Sequence, residues 1–270
     1  MICFPNAKIN IGLNITEKRT DGFHNIETIF YPVQLNDVIE IRKSDKMTYE
    51  NSGLLVDGGN GDKNIILKAY NLLSSDFELQ PVNVHLHKII PFGAGLGGGS
   101  SDGVFALKLF NSLFNLSLSE EKLYDYSKKL GSDCSFFIAN KPCFASGKGD
   151  KLVSVEINLS NYYLVIVHPG IMVETAKAYS QITPCKITKS LKELINMPIS
   201  LWKNIISNDF ESIVFKKHPE IKSIKDKLYS EGALYASMSG SGSSVFGIFE
   251  TNKKPEISFP KYFVWISKMQ

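Results

Sequence analysis

Residues 91–102 read Pro91-Phe92-Gly93-Ala94-Gly95-Leu96-Gly97-Gly98-Gly99-Ser100-Ser101-Asp102, which puts five glycines within seven residues and runs directly into serines and a helical pattern. Glycine costs chain entropy, so this density marks backbone that needs positive φ or that a ligand must approach closely at its peptide N–H groups. A loop of N–H donors leading into a helix N-terminus is an anion site, through unpaired donors and the helix dipole, and phosphate is its natural occupant. The competing reading is a flexible linker. Linkers seldom end in a capping serine and an amphipathic helix, and here Val104, Leu107, Phe110 and Phe114 form the apolar stripe of one.

Absences narrow the loop further. A P-loop requires Gly-Lys-Ser/Thr where this chain has Gly98, Gly99 and Ser100. Gly93, Gly95 and Gly98 satisfy G-x-G-x-x-G, but the dinucleotide-binding form needs an acidic residue ending the next strand, and here that region opens another helix. The protein-kinase loop shares the spacing, yet neither H-R-D nor D-F-G occurs downstream.

Working outward, Ile9, Ile11, Leu13 and Ile15 alternate with Lys8, Asn10, Gly12 and Asn14, which predicts a strand with Lys8 and Asn10 side by side on one face. Further strands are expected over Phe30–Ile41, at Val82, Val84 and Leu86, and over Tyr162–Val167. Asn64 is placed to cap a helix carrying Ile66, Ala69, Tyr70 and Leu73. Ser117 with Glu120 reads as a capping box, and Gly131 in a left-handed conformation as the end of that helix, leaving Asp133 just beyond it. Pro219 and Gly232 bracket the stripe Ile221, Ile224, Leu228. A hairpin then follows, with strands over Ala233–Met238 and Val245–Phe249 and a tip of Ser239–Ser244.

With 270 residues the chain exceeds one typical core, so a division near residue 155, into 1–155 and 156–270, is expected from element order. Hydrophobic residues at 43% and charged residues at 21% fit a globular protein with a proper core. Thirty basic and 27 acidic side chains are interspersed, so no basic stripe argues for nucleic acid. Cys3, Cys134, Cys143 and Cys185 make no C-x-x-C pair and read as four buried free thiols. The longest wholly apolar run, Tyr162–Val167, is too short to cross a bilayer, and no signal-peptide pattern opens the chain, so a reducing cytoplasm is expected, without membrane or nucleic-acid partners.

Three separated segments, PNAKINIGLNI from Pro5, PFGAGLGGGSSD from Pro91 and MSGSGSSVF from Met238, together resemble the three motifs of the galactokinase, homoserine kinase, mevalonate kinase and phosphomevalonate kinase superfamily. RTDGFHNIETIF, LGSDCSFF and HPGIMVETAKAY extend the resemblance toward its diphosphocytidyl methylerythritol kinases. The resemblance implies an α+β fold of two domains with the active site in the cleft between them. It implies transfer of the γ-phosphoryl group of ATP to the 2-hydroxyl of a cytidine diphosphate-linked methylerythritol, a small-molecule substrate, with magnesium as counter-ion. It makes Lys8 and Asp133 catalytic, Asp133 accepting or orienting the hydroxyl proton and Lys8 keeping that carboxylate ionised and neutralising phosphoryl charge.

The same resemblance gives Pro91, Phe92, Gly93, Ala94, Gly95, Leu96, Gly97, Gly98, Gly99, Ser100 and Ser101 to ATP, with Ser239, Ser241 and Gly242 as a supporting turn. Phe23 and Tyr179 would enclose the pyrimidine, His24 would read its edge, Asn10 would lie near the acceptor, and the turn Pro169–Thr175 would shape the wall. Ser100 or Ser101 offers magnesium a hydroxyl, but no acidic cluster defines a metal site. Two positions depart from the family pattern: Phe23, where tyrosine is frequent, and Ser135, where proline is common and whose absence threatens to loosen the turn that aims Asp133. Competing readings are another kinase of the superfamily acting on homoserine or mevalonate, a non-catalytic nucleotide sensor and, more distantly, an NAD-dependent oxidoreductase.

Overall fold

The computed structural model describes residues 1–54, 64–184, 188–252 and 254–269, so Cys185 lies outside the described residues. In chain order they form β1 (Ile2–Cys3), β2 (Asn6–Lys18), β3 (His24–Asn36), β4 (Val38–Lys43), β5 (Thr48–Gly53), α1 (Ile65–Ser74), β6 (Val82–Lys88), α2 (Gly98–Leu113), α3 (Glu120–Leu130), a 3-10 turn (Ser132–Ser135), α4 (Phe136–Ala139), β7 (Cys143–Ser146), β8 (Lys151–Ser154), β9 (Tyr162–His168), α5 (Thr175–Ser180), α6 (Leu191–Leu194), α7 (Ile199–Ile205), α8 (Glu211–Lys217), α9 (Pro219–Ser230), β10 (Tyr235–Met238), β11 (Val245–Glu250) and β12 (Phe263–Lys268). This is the expected mixture of helices and strands.

The chain forms two compact units that interleave along the sequence: Met1–Ala7, Leu35–Phe92 and Gly97–Asn140 in one, Lys8–Gln34, Gly93–Leu96 and Lys141–Gln270 in the other. The division near residue 155 follows chain order and is a different partition from this one. The first unit holds a sheet in the order β1-β4-β6-β5. Its β5 and β6 run parallel, Thr48 opposite Asn83 through Gly53 opposite Lys88, which requires a crossover, and α1 lies on that connection. Asn64 caps α1 as expected, its side chain accepting from the N–H groups of Ile66 and Leu67.

The second unit holds two sheets, β10-β11-β9-β12 and β2-β3-β7-β8. The expected hairpin is present, with Tyr235 opposite Ile248 and Met238 opposite Val245. Its core joins Leu13 and Ile15 of β2 to Val165 and Val167 of β9 and to Ile221, Ile224 and Leu228 of α9, all buried. At roughly 1.5–3 kcal/mol for each fully buried aliphatic side chain, this cluster is a main source of the unit's stability.

Several local expectations give way. The run Phe30–Ile41 is two strands, because Asp37 interrupts it between β3 and β4. The cap of α3 is Ser119, which accepts from the Lys122 N–H. Ser117 has φ +55, and together with Asn115 at φ +53 it belongs to the preceding turn. Gly131 does close α3, but at φ 171, an extended conformation. The helix after the glycine loop begins inside it, at Gly98, with Gly97 as a left-handed cap lacking any side-chain bond, so no serine caps it. Among the thiols, Cys134 and Cys143 are buried and Cys3 is only partly so.

Candidate active site

Lys8 lies on β2, which is buried along most of its length on both faces. A buried polar side chain must be hydrogen-bonded, and Lys8 meets that demand: its Nζ donates to Asn10 Oδ1 at 2.5 Å and to the Gly95 carbonyl at 3.3 Å, and lies 5.0 Å from the centre of the Phe30 ring. The Lys8 N–H donates to the Leu96 carbonyl at 2.9 Å. The expected Lys8–Asn10 pair is therefore formed, and the Lys8 side chain reaches the middle of the glycine loop's stretch Gly93–Leu96.

The Ser239–Ser244 tip meets the same stretch. Ser239 Oγ donates to the Gly95 carbonyl at 2.8 Å and accepts from the Asn10 N–H at 3.1 Å, while the Ser244 N–H donates to the Ala94 carbonyl at 3.1 Å. Gly95 has φ +77, and a Cβ there would stand 2.1 Å from the Ser239 carbonyl oxygen, so both conformation and space reserve it for glycine. The tip is anchored from below: Asn208 Nδ2 donates to the carbonyls of Met238 and Gly240, and Glu211 Oε1 accepts from the Met238 N–H at 2.9 Å. Ser241 Oγ pairs with Thr175 Oγ1 at 2.8 Å. His168 Nδ1 lies 3.3 Å from Ser243 Oγ and 3.4 Å from Ser244 Oγ, and burial pulls the imidazole down to about 4.

The loop's C-terminal end starts α2. The first helical bond runs from the Ser101 N–H to the Gly97 carbonyl, so the N–H groups of Gly98, Gly99 and Ser100 have no acceptor within the helix and present their donors outward. Ser101 is wholly buried, and its Oγ has no hydrogen-bond partner among the described residues. At the loop's start Pro91 is buried and Phe92 is exposed. Burial raises the pKa of the Cys134 thiol to about 11, with nearby Ser100 opposing the rise. Cys134 adjoins the half-buried Asp133 in the first turn of the 3-10 segment. Ser135 Oγ bonds Ser127 Oγ of α3 at 3.0 Å, which links the end of this turn to the helix before it.

Beneath this helix start lies a charged cluster that the sequence pattern did not flag. The buried Lys88 ammonium pairs with Asp37 and, at 2.6 Å, with Asp102. Asp37 Oδ1 also accepts from the N–H groups of Ile89 and Ile90 at 2.6 and 2.8 Å. Lys88 thus ties the residues before the glycine loop to Asp102, immediately after it. Burial pushes the Asp102 carboxyl up to about 8 against the pull of Lys88, and Asp37 adds to the rise. Burial opposes the Lys88 charge, but the two carboxylates outweigh it and hold its pKa above the ordinary value.

The residues expected around a nucleobase fall on β3, the turn before it and α5. His24 is buried and stacks on Tyr179, with ring centres 5.2 Å apart and planes 22° apart, while Tyr179 meets Phe210 edge-on at 4.8 Å. Phe23 is 58% exposed, and Lys148 Nζ lies 4.8 Å from its ring centre. His24 Nε2 is buried without a hydrogen-bond partner. Burial lowers the pKa of His24, so a neutral ring with one unmet hydrogen-bonding nitrogen is present here.

Comparison with known proteins places this geometry. Residues 64–147 match the GHMP kinases N terminal domain and residues 190–257 the GHMP kinases C terminal domain. The 4-diphosphocytidyl-2-C-methyl-D-erythritol kinase of Parabacteroides distasonis is 51% identical over 267 residues, covering 98% of each chain, and that of Bacteroides fragilis is 54% identical over 258 residues, covering 94% of each. A crystal structure of a 4-(cytidine 5'-diphospho)-2C-methyl-D-erythritol kinase superposes with a TM-score of 0.78 at 28% identity, covering 92% of this chain and 90% of that one. The chain belongs to the 4-diphosphocytidyl-2-C-methyl-D-erythritol kinase family of the GHMP kinases.

As a GHMP kinase it is a phosphotransferase with ATP as phosphoryl donor. The residues present fit that donor: the N–H groups of Gly98, Gly99 and Ser100 open a 16-residue helix, and an added Cβ at Gly99 meets no heavy atom within 4 Å, leaving room for an anion against the backbone. Beyond the residues expected from sequence, the kinase fold recruits Asp37, Lys88 and Asp102 under the loop and Asn208 and Glu211 under the serine tip. Lone charged or amide residues inside apolar runs, as in LNDVIEI and KIIPFG, are the signal that would have marked the first two.

Proposed function

We propose that this kinase phosphorylates the 2-hydroxyl of 4-diphosphocytidyl-2-C-methyl-D-erythritol, giving the 2-phosphate, a step of non-mevalonate isoprenoid precursor synthesis. The observation that carries the reading is the near-full-length identity, above 50%, with the relatives of that name. The competing homoserine and mevalonate kinase readings, and that of a non-catalytic sensor, have no comparable support.

In this reading Asp133 takes or orients the proton of the acceptor hydroxyl as its oxygen bonds to the γ-phosphorus and the bond to the ADP leaving group breaks. Lys8 supplies positive charge to the transferred phosphoryl group; its fixed place between Asn10 and Gly95 suits an electrostatic role that needs no reorganisation during transfer. The loop from Pro91 to Ser101 holds the phosphates, chiefly through the N–H groups of Gly98, Gly99 and Ser100. The open ring face of Phe23 and the Tyr179 ring flank the pyrimidine, and the unmet Nε2 of His24 supports recognition of its edge.

Magnesium accompanies ATP in this reading. Among the described residues no group of three or more His, Cys, Asp and Glu side chains is placed to hold a metal ion. Phosphate oxygens and water then supply most of its ligands, as is usual for this ion. A cytoplasmic setting also belongs to the reading, supported by the free thiols of Cys3, Cys134 and Cys143; among the described residues no helix is long and apolar enough to cross a membrane.

The test is ADP release with the diphosphocytidyl substrate, homoserine and mevalonate offered in turn, for the wild type and for Asp133→Ala. Turnover confined to the first substrate and lost in the variant is expected. Rapid phosphorylation of homoserine or mevalonate instead, or a variant as active as the wild type, overturns the assignment.

A further inference from the structure

We propose that Thr28 is a positioning residue for phosphoryl transfer, acting through Asn10 to hold the Lys8 ammonium, an inference that rests on the role given to Lys8 above. Thr28 lies on β3 with no exposed surface. Its hydroxyl is a link in a continuous chain of hydrogen bonds: Lys8 Nζ donates to Asn10 Oδ1 at 2.5 Å, Asn10 Nδ2 donates to Thr28 Oγ1 at 2.9 Å, and Thr28 Oγ1 donates to the Gly12 carbonyl at 2.6 Å.

Both ends of this chain fix its direction. An ammonium only donates and a carbonyl oxygen only accepts. Asn10 must therefore turn its oxygen to Lys8 and its amide nitrogen to Thr28, and the Thr28 proton is left for Gly12. The orientation of a side-chain amide is ordinarily open to inversion, and here the network removes that freedom. The terminal acceptor is itself held: Gly12 has φ +69, and a Cβ there would stand 2.7 Å from Ile206 Cγ2 and 2.9 Å from Leu191 Cδ2. Lys8, Asn10 and Thr28 are all buried, so water has little access to replace a missing link.

Loss of the Thr28 hydroxyl leaves the buried Asn10 Nδ2 without its acceptor, while the ammonium still holds Oδ1. The amide moves off its place toward another acceptor, and Lys8, bonded to its oxygen, shifts with it. A long lysine side chain has ample rotamer freedom to do so. Displacement of about 1 Å at a group that meets the transferred phosphoryl is enough to lower turnover by around two orders of magnitude.

The experiment measures kcat, both KM values and melting temperature with ATP and diphosphocytidyl methylerythritol. Thr28→Val, near in volume, is expected to lower kcat roughly 10- to 100-fold with much smaller changes in KM. Thr28→Ser restores most of the kcat. Because Thr28 acts through Asn10, the double variant Thr28→Val/Asn10→Ala should turn over at the rate of Asn10→Ala alone. A Thr28→Val enzyme with kcat within about twofold of wild type, or a double variant whose losses multiply, overturns the proposal. Should Thr28→Val fail to fold, Thr28→Cys retains the volume with a weaker hydrogen-bonding group and is held to the same comparison. Lys8→Ala is run beside these: an unimpaired Lys8→Ala enzyme sinks the role assigned to Lys8 itself, whereas an inactive one beside a fully active Thr28→Val enzyme sinks the Thr28 inference alone.

Discussion

Replacing Gly99 with alanine adds a methyl group at the second residue of α2, where a Cβ would have no heavy atom within 4 Å. Gly99 is absent from the positive-φ glycines, so alanine takes up its backbone conformation without strain. Removing a glycine's freedom in the unfolded chain at such a compatible site stabilises a protein by about 0.4–1 kcal/mol, and for a chain of this size that raises the melting temperature by roughly 1–3 °C. ATP binding should move the other way. A methyl beside the Gly98, Gly99 and Ser100 N–H groups holds a phosphate oxygen off the backbone, and one hydrogen bond to a charged group is worth about 1.5–3 kcal/mol, or roughly a 10- to 100-fold rise in KM for ATP. Initial-rate kinetics with ATP varied at saturating acceptor, together with a thermal melt, give both numbers. An unchanged KM with unchanged stability would refute the placement of phosphates against this helix start. A fall in melting temperature would show that the open space at Gly99 is misread.

Lys88→Met strands two carboxylates in an apolar setting and should lower stability by about 3–5 kcal/mol, read as a drop in the urea midpoint; adding Asp102→Asn to it should recover part of the loss, and a midpoint equal to wild type would show that the cluster does not hold the loop's base. His168 is held neutral by burial, with its pKa lowered from 6.5 to about 4. Its contribution to stability is therefore fully present above pH 6.5 and is lost as pH falls toward 4, because the unfolded chain gains the proton first. Urea unfolding at pH 7 and pH 4.5 should show a smaller acid loss for His168→Asn than for wild type, and equal losses would count against this account.

What the sequence made legible was whatever rests on local chemistry. The Asn64 cap, the α9 stripe Ile221, Ile224, Leu228 and the Met238–Val245 hairpin register follow from neighbours within a few residues. The second face of β2 was not legible in full. Alternation marked Ile9, Ile11, Leu13 and Ile15 as interior, but Lys8 and Asn10 are equally buried, since their partners Gly95, Ser239 and Thr28 come from distant parts of the chain. The same cause hid the Lys88 cluster, whose members span residues 37 to 102. Ser117 failed as a cap for a local reason that pattern matching does not weigh: Asn115 and Ser117 both take left-handed backbone, so the chain is still turning when the capping box is due to begin.

The interleaving of the two compact units carries a consequence for biogenesis. The strand bearing Lys8 is made long before its partners: Ile15 waits for Asp209, whose carboxylate receives its N–H, and Asn10 waits for Ser239. Until Asp209 and Ser239 have been made, an apolar strand is without part of its native cover and the lysine without its final surroundings. A chain cut near the middle therefore separates the Lys8 strand from residues that fix it in place.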